Sequence, residues 1–255
     1  MIAATQHGTM LVNRNDHARA GDQSYGVGHQ LLTSSAYDPE EIRFVLMLLE
    51  HRRVHFGDGV FVVDCGANIG VHTLECARFM HGWGGVLAIE AQERVFYALA
   101  GNIALNNCFN ARALWAAVGA EGGEIAVPVP DYLVPSSYGS LEIRRTAGTE
   151  HIGQDIDYSP EASSRTRMLA IDDLDLSRVD LIKIDVEGME VEALTGARRT
   201  IARLKPQLLI ERIKSNADDI VALVEPLGYR LFPLGLNLLA IHATDPVASQ
   251  ITVSG

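Results

Sequence analysis

The sequence contains few basic residues, few cysteines and no long apolar run, and each shortage argues against a class of protein. The 21 Lys and Arg residues are outnumbered by 32 Asp and Glu, which gives a formal net charge of −11. This charge disfavours nucleic acid or an anionic membrane surface as the main partner, because both require a basic face. No stretch approaches transmembrane length, and the N-terminus lacks a signal-peptide pattern. We therefore expect a soluble, cytoplasmic protein.

The cysteines indicate neither a disulfide framework nor a metal centre. Cys65, Cys76 and Cys108 are odd in number and lack metal-ligand spacing, so buried free thiols are expected. A chain of 255 residues, 47% of them hydrophobic, suits one α/β domain with elaborations. We predict an N-terminal extension with a lid or packing helix at 1–58. The remaining domain, at 59–255, is predicted to carry an insertion at about 121–167.

The most informative stretch is a strand, a glycine turn and the start of a helix at residues 60–70. Residues 60–63 form a continuous apolar run with β-branched bias, typical of a strand buried on both faces, and Asp64 ends it. Gly66 and Gly70 then bracket a tight turn before a stretch with helical spacing. This arrangement brings backbone N–H groups and a helix N-terminus together, which predicts a nucleotide-type binding site.

The details of this turn favour a cofactor without a pyrophosphate. Asn68 stands where a dinucleotide-binding turn carries its second glycine, so NAD and FAD are disfavoured. Glu90 ends a second apolar run, where an acid can accept hydrogen bonds from ribose hydroxyls. S-adenosylmethionine fits best; an ordinary turn with a solvated carboxylate is the alternative. The predicted cofactor-binding residues are Asp64, Gly66, Ala67, Asn68, Gly70, His72, Thr73, Glu90, Ala91, Ala117 and Val118.

The rest of the chain alternates strands with helices and closes with an antiparallel hairpin at about 228–242. This pattern predicts an α/β doubly wound, Rossmann-like sheet that binds ligands at the carboxyl ends of its strands. Residues 1–28 suggest irregular structure or one short strand, and Asp38 with Pro39 marks the start of a helix. Residues 121–167, rich in Pro, Gly and Tyr, interrupt the alternation. We predict a substrate cover there, with a disordered surface loop as the alternative.

Several motifs together resemble the FkbM-type S-adenosylmethionine-dependent methyltransferases. They are Val-Asp-Cys-Gly-Ala-Asn-Ile-Gly at 63–70, Ala-Ile-Glu-Ala at 88–91, Asp-Leu-Ile-Lys-Ile-Asp-Val-Glu-Gly at 180–188 with Gly-Ala at 196–197, and the strand at 206–211. The Asp-Val-Glu-Gly-x-Glu signature at 185–190 is the most specific of them. The resemblance implies a seven-stranded class I methyltransferase sheet. It also implies methyl transfer to a hydroxyl of a sugar, polyketide or similar small molecule.

Three acids at strand ends, Asp185, Glu187 and Glu211, are the predicted catalytic residues. Asp185 and Glu187 share a face if the strand stays extended, and two such acids can raise the pKa of one into the range of a general base. Alternatively, Asp185 holds a polar group of the cofactor or substrate and Glu187 caps the next helix. Glu211 would position the substrate, and we predict no metal.

The acceptor atom and the assembly state are less constrained. The cofactor site does not encode the acceptor atom, so N-methylation on the same scaffold competes with O-methylation. A non-catalytic adenosine-binding protein is a further alternative, disfavoured by the three acids. A homodimer is compatible with the sequence.

Overall fold

The N-terminal part of the chain forms two small hairpins and two helices. The computed structural model of the protein describes residues 1–21 and 23–250. The first elements are β1 (Ile2–Thr5), β2 (Gly8–Leu11), β3 (Ala18–Ala20), β4 (Gln23–Tyr25), α1 (Val27–Ser34) and α2 (Pro39–Phe56). The prediction of irregular structure or one strand for residues 1–28 was therefore wrong. Strands of only three or four residues are too short for the sequence to show the alternation of apolar and polar residues that identifies a strand.

Helix α2 begins at the predicted position. Pro39 is its first residue and Asp38 occupies the N-cap position, but the Asp38 side chain makes no capping hydrogen bond and its backbone is left-handed, with φ 37°. The N-cap position was thus predicted correctly and the capping contact was not. Ile42, Val45 and Leu49 of α2 are buried in the hydrophobic core.

Alternating strands and helices follow. They are β5 (Val60–Cys65), α3 (Val71–Phe79), β6 (Gly84–Glu90), α4 (Glu93–Leu105), β7 (Ala111–Trp115), β8 (Ala117–Val118), β9 (Gly123–Pro128), β10 (Ser163–Leu169), β11 (Leu181–Ile184), α5 (Glu190–Thr195), α6 (Arg198–Leu204), β12 (Gln207–Glu211), α7 (Ala217–Val224), β13 (Tyr229–Leu234) and β14 (Asn237–His242). Helices α5 and α6 are separate elements, because the backbone N–H of Ala197 bonds to the carbonyl of Leu194, three residues back, instead of continuing the α-helical pattern.

The central sheet has seven strands in the order β13-β14-β12-β11-β5-β6-β7. Its neighbouring pairs are parallel except those made by β14, which is antiparallel to both β12 and β13. This topology confirms the predicted doubly wound, Rossmann-like sheet and its terminal hairpin. The order starts from β5 and runs outward in both directions, so the carboxyl ends of β5 and β11 lie side by side.

Two hydrophobic layers cover the faces of this sheet. The layer formed by β2, α2, α3 and α4 packs on Val60 and Val62, whereas the layer formed by α5, α6 and α7 packs on Val63 and Cys65. Strand β11 alternates in the same way, with Leu181 in the first layer and Ile182 in the second. Because side chains alternate along a strand, Asp64 and Lys183 face the first layer.

A buried ionic cluster ties α2 to the edge of the sheet opposite the ligand-binding edge. The Arg52 guanidinium donates to Asp180 at 3.0 Å and to Asp245 at 2.9 Å. Asp180 also accepts from Arg178 at 2.7 Å and from the backbone N–H of Phe61 at 2.9 Å. Buried charges of this kind are tolerated when each one has a partner.

The predicted insertion contributes β9 and most of β10 to a second sheet. Strand β10 pairs with β9 in antiparallel fashion and with β8 in parallel fashion, giving a three-stranded sheet in the order β8-β10-β9. The chain between β9 and β10, residues 129–162, returns over the carboxyl ends of the central strands, where residues 137–143 line a cavity. In the described ranges, 1–21 and 23–250, the structure contains no helix long and apolar enough to cross a membrane.

Candidate active site

The glycine turn lies directly against the end of the neighbouring strand β11. The backbone N–H groups of Gly66 and Ala67 donate to the carbonyl of Ile89 at 2.9 and 3.0 Å, which fixes the turn to β6. Gly66 has φ 74°, and a Cβ there would lie 1.6 Å from the backbone carbonyl oxygen of Asp185. Only glycine fits this position, for both conformational and steric reasons.

Glu90 joins the turn to the end of β6 and lines the adjoining cavity. One carboxylate oxygen accepts from the backbone N–H of Asn68 at 2.9 Å and the other from that of Gln92 at 2.8 Å. Burial raises the pKa of Glu90 to about 7, although these two hydrogen bonds act in the opposite direction. Each carboxylate oxygen can accept a further hydrogen bond, so ribose hydroxyls remain chemically suitable partners.

Three of the predicted cofactor-binding residues support the turn from below. Asp64 is 1% exposed and accepts a 2.6 Å hydrogen bond from the Thr73 hydroxyl, while Gly70 packs against Leu99. None of these three lines either of the two cavities beside the turn. Their direct contact with the cofactor stays a prediction, and in this structure their visible role is to hold the turn and the start of α3.

The first cavity has a volume of about 350 Å³ and lies over the carboxyl ends of the central strands. This volume falls within the range of small-molecule sites. Predicted site residues in its wall are Gly66, Asn68, Glu90, Ala91, Ala117, Val118, Asp185, Glu187 and Glu211. A second cavity of about 810 Å³ adjoins it and is lined by the remaining predicted residues, Ala67 and His72, among others.

A cover segment, residues 137–143, closes the first cavity from the side of the insertion. The Gln92 side-chain amide donates to the carbonyl of Tyr138 at 2.8 Å, and Asp16 accepts from the backbone N–H of Tyr138 at 3.2 Å. Asp16 also accepts from the backbone N–H of Gly28, near the start of α1, at 2.8 Å. Burial raises the pKa of Asp16 to about 6. This carboxylate therefore joins the N-terminal segment to the cover segment.

Asp185, Glu187 and Glu211 converge as predicted from their positions at strand ends. Each offers a carboxylate oxygen, and the three oxygens lie within 4.8 Å of one another. Oxygens at such spacing can hold a divalent cation. Lysines already compensate two of the acids: Lys183 donates to Asp185 at 2.7 Å, and Lys214 donates to Glu187 at 2.5 Å. That the site needs no metal stays a prediction.

The three acids differ in their electrostatic surroundings. Burial and the nearby Asp185 raise the pKa of Glu187 well above its ordinary value, and Lys214 only partly opposes this. Burial and Asp185 also raise the pKa of Glu211 to about 7. Within the described residues, Glu211 has no salt bridge, and its buried Oε2 has no hydrogen-bond partner. Glu211 is therefore the acid that is free to accept a proton from a ligand.

Glu190, and not Glu187, holds the turn that precedes α5. Its Oε1 accepts from the backbone N–H groups of Val186 and Gly188 at 3.1 and 3.2 Å, and Ser215 donates to its Oε2. Glu187 has a left-handed backbone, with φ 54°, and its side chain points to Lys214. The alternative in which Glu187 caps the helix is thus wrong, because its side chain pairs with Lys214 and α5 has no side-chain cap.

Sequence reasoning missed the long-range partners of the site. Lys214 also donates to the carbonyl of Ser140 in the cover segment at 2.7 Å, so it links Glu187 to the cover. Gln92, beside Glu90, also bonds to the cover segment, through the carbonyl of Tyr138. Both cavities are lined by Tyr37 and Asp38. The only available signal for Lys214 was a cation three residues beyond Glu211, at the end of a predicted strand.

One solved structure that contains a methyltransferase shares this fold. The structure of monomeric WbdD, a bifunctional kinase-methyltransferase, aligns with a TM-score of 0.50 at 12% identity and covers 86% of this chain and 44% of WbdD. The methyltransferase FkbM from Methylobacillus flagellatus KT aligns with a TM-score of 0.48 at 20% identity, covering 75% of this chain and 48% of that chain. This chain thus spans about half the length of those two proteins.

Sequence comparison gives a more specific relationship. Methyltransferase sdnD from Sordaria araneosa is 27% identical over 190 residues, which cover 66% of this chain and 73% of the relative. Methyltransferase 1 from Beauveria bassiana (strain ARSEF 2860) is 27% identical over 188 residues, covering 68% and 74%. The model of the methyltransferase FkbM domain matches residues 64–231, well over half of the chain and the whole span from the glycine turn to β13. The protein therefore belongs to the FkbM family of methyltransferases.

Proposed function

We propose that this methyltransferase uses S-adenosylmethionine to methylate a hydroxyl group of a small molecule. The observation that carries the proposal is the convergence of Asp185, Glu187 and Glu211 beside a cavity bounded by the Gly66 turn and Glu90. A hydroxyl acceptor must lose a proton during methylation, and a carboxylate at the acceptor end can take it. A small-molecule acceptor as partner, a homodimer and the cytoplasm as location stay predictions from the sequence.

The residues of the first cavity fit S-adenosylmethionine. Glu90 offers carboxylate oxygens for ribose hydroxyls, and Ile89, Ala117 and Val118 offer an apolar wall for a flat base. At the other end of the cavity, the three acids outnumber the two lysines that pair with them, so the net charge there is negative. This negative charge favours a positively charged sulfonium. When bound, S-adenosylmethionine supplies a methyl group on a sulfur that departs with the electron pair of the broken C–S bond.

We assign the role of general base to Glu211. Its pKa of about 7 matches the working range of a base, and its free Oε2 lies in the wall shared by the two cavities. The acceptor hydroxyl gives its proton to this oxygen as the new O–C bond forms. Asp185, fixed by Lys183, holds the acceptor in line with the methyl group, and Glu187, fixed by Lys214, holds the cover segment through that lysine.

Single-turnover methylation at saturating S-adenosylmethionine tests these roles. Glu211→Gln keeps the size of the side chain and removes the base, so we expect the rate to fall by roughly 10²–10⁴-fold with little change in cofactor affinity. Asp185→Asn and Glu187→Gln should also reduce the rate, because they loosen positioning. Glu50→Gln, an exposed change on α2, is the matched control and should leave the rate unchanged.

The readout is release of S-adenosylhomocysteine with a panel of hydroxyl and amine acceptors, together with thermal melts. A normal rate for Glu211→Gln would remove its role as base. Nuclear magnetic resonance of the product distinguishes an O-methyl from an N-methyl group, and an N-methyl product would overturn the hydroxyl assignment. Failure of the wild-type protein to bind S-adenosylmethionine by calorimetry would overturn the proposed cofactor.

A further inference from the structure

The second cavity opens beside the cofactor cavity and on its opposite side from the cover segment. The start of α2, the first turn of α3 and the turn between β13 and β14 form its walls. The residues that line both cavities are Val27, Tyr37, Asp38, Gly66, Asn68, Asp185, Glu211 and Leu236. Residues 137–143 contribute to the lining of the first cavity and not to that of the second. A molecule in the second cavity therefore meets Asp185 and Glu211 from a side that the cover segment does not line.

The charge of the second cavity is unbalanced. Each basic side chain in its lining already has an acidic partner. The pairs are Arg43 with Glu40 at 2.8 Å, His72 with Glu41 at 3.1 Å, and Lys183 with Asp185 at 2.7 Å. Asp38 and Glu211 also line the cavity, and neither has a basic partner within the described part of the chain. The surplus is therefore negative, and no basic group is left over for an anionic ligand.

The mouth of the second cavity is apolar. Met47 on α2 and Leu236 in the β13–β14 turn are 55% and 66% exposed, and Phe44 lies between the same walls. Glu41 fixes the distance between these walls, because it accepts from Asn237 at 2.6 Å and lies beside His72. An apolar rim held around an acidic floor suits a ligand with an apolar part and a polar reacting end.

We propose that the second cavity binds the acceptor, and that the acceptor is an amphipathic hydroxyl compound which is uncharged or cationic. This inference rests on the proposed function and adds the location and charge of the substrate. An anionic group would meet Asp38 and Glu211 with no free cation to compensate it, which penalises binding through like-charge repulsion. The apolar portion of the acceptor packs on Met47 and Leu236, while its hydroxyl reaches Glu211.

Three octyl glycosides test the proposal with one tail and one sugar ring, in which each charged compound has a single hydroxyl-bearing position of glucose changed. Octyl glucoside is neutral, octyl 2-amino-2-deoxyglucoside is cationic and octyl glucuronide is anionic. Their binding to the full chain is measured by calorimetry below their micellar concentrations, with saturating S-adenosylhomocysteine present. We expect the neutral and cationic glycosides to bind at least about tenfold more tightly than the glucuronide.

Two substitutions locate the binding. Met47→Ser should weaken the neutral and cationic glycosides by roughly three- to tenfold while leaving the affinity for S-adenosylhomocysteine unchanged, because Met47 lines the second cavity and not the first. Leu133→Ser is its control, because Leu133 is 82% exposed and lines neither cavity. Asp38→Asn should reduce the difference in affinity between the glucuronide and the other two glycosides. Thermal melts show whether each variant is folded.

The possible outcomes are distinguishable. Failure of S-adenosylhomocysteine itself to bind would overturn the proposed function and, with it, the acceptor assignment. If S-adenosylhomocysteine binds but all three glycosides fail to bind, or the glucuronide binds as tightly as the glucoside, the inference is wrong while the proposed function stands. Equal effects of Met47→Ser and Leu133→Ser would also refute the second cavity as the location.

Discussion

Replacing Gly66 by alanine tests whether the glycine turn is held by contact with β11. A Cβ at this position would lie 1.6 Å from the carbonyl oxygen of Asp185 and 2.7 Å from its carbonyl carbon. Both are backbone atoms at the end of a strand that is paired with β5 and β12, so they cannot rotate away as a side chain would. The turn and the end of β11 must separate to admit the methyl group.

The expected destabilisation has two parts. Alanine in the left-handed region costs roughly 1–2 kcal/mol. Forcing a methyl group into a packed site costs roughly 1–3 kcal/mol more. Their sum, about 2–5 kcal/mol, is a large fraction of the roughly 5–15 kcal/mol by which proteins are stable. In a chain of this size each kcal/mol lowers the melting temperature by about 2–4 °C, so we expect a fall of roughly 4–20 °C.

Gly82→Ala is the matched control, because alanine there also has to adopt a left-handed backbone but its Cβ meets no other atom. Gly82 has φ 82°, close to the 74° of Gly66, and a Cβ at Gly82 would meet nothing within 4 Å. Its melting temperature should fall only by the conformational part, roughly 2–8 °C. The difference between the two variants therefore measures the contact with Asp185 alone.

The assay combines differential scanning calorimetry with titration of S-adenosylmethionine. Because the methyl group displaces the Asp185 backbone, which borders both cavities, Gly66→Ala should also lose cofactor affinity, whereas Gly82→Ala should keep it. Gly66→Val, with a larger side chain, should abolish cofactor binding. Equal melting temperatures and equal affinities for the two alanine variants would refute the reasoning, because the turn would then not abut β11.

Three further predictions concern binding, rate and stability. Glu90→Ala should weaken S-adenosylmethionine binding at least tenfold, since a charge-assisted hydrogen bond worth about 1.5–3 kcal/mol is lost; unchanged affinity by calorimetry would remove the ribose assignment. The value of kcat/KM should rise as pH increases through about 7, because Glu211 acts as base only when ionised; a flat profile would exclude it. Arg52→Met should lower the free energy of unfolding in urea by about 3–5 kcal/mol, because buried Asp245 and Asp180 lose their shared partner; a loss below about 1 kcal/mol would show that they relax.

The parts of the fold that local chemistry determines could be predicted from the sequence. Runs such as 60–63 and 86–89 are apolar because both faces of the sheet are covered, and an acid follows each of them. The hairpins of residues 1–25 were missed because their strands are too short to show alternation. The packing of β2 on α4 joins residues about 90 positions apart, as in the 2.5 Å hydrogen bond from Leu11 to Asn102. No local pattern encodes such a contact.

The period of two along β5 determines where the side chain of Asp64 lies. One face of β5 carries Val60, Val62 and Asp64. The two valines pack in the layer that contains α2 and α3. Asp64 therefore points into the same layer, where Thr73 donates to it, rather than toward the first cavity. Glu90 ends its strand one residue beyond Ile89 and reaches the cavity wall. Two acids that look equivalent in the motif thus have different surroundings.

The different roles of the three converging acids arise from contacts at different distances along the chain. Lys183 precedes Asp185 by two residues and lies on the same face of β11, so this pair follows from the period of a strand. Lys214 is 27 residues from Glu187 and reaches it only because β11 and β12 are neighbours. Glu211 is the last residue of β12. Within the described residues, no lysine donates to its Oε2. Which of the three carboxylates has no lysine partner is therefore decided by tertiary structure, whereas their convergence follows from their positions at the strand ends.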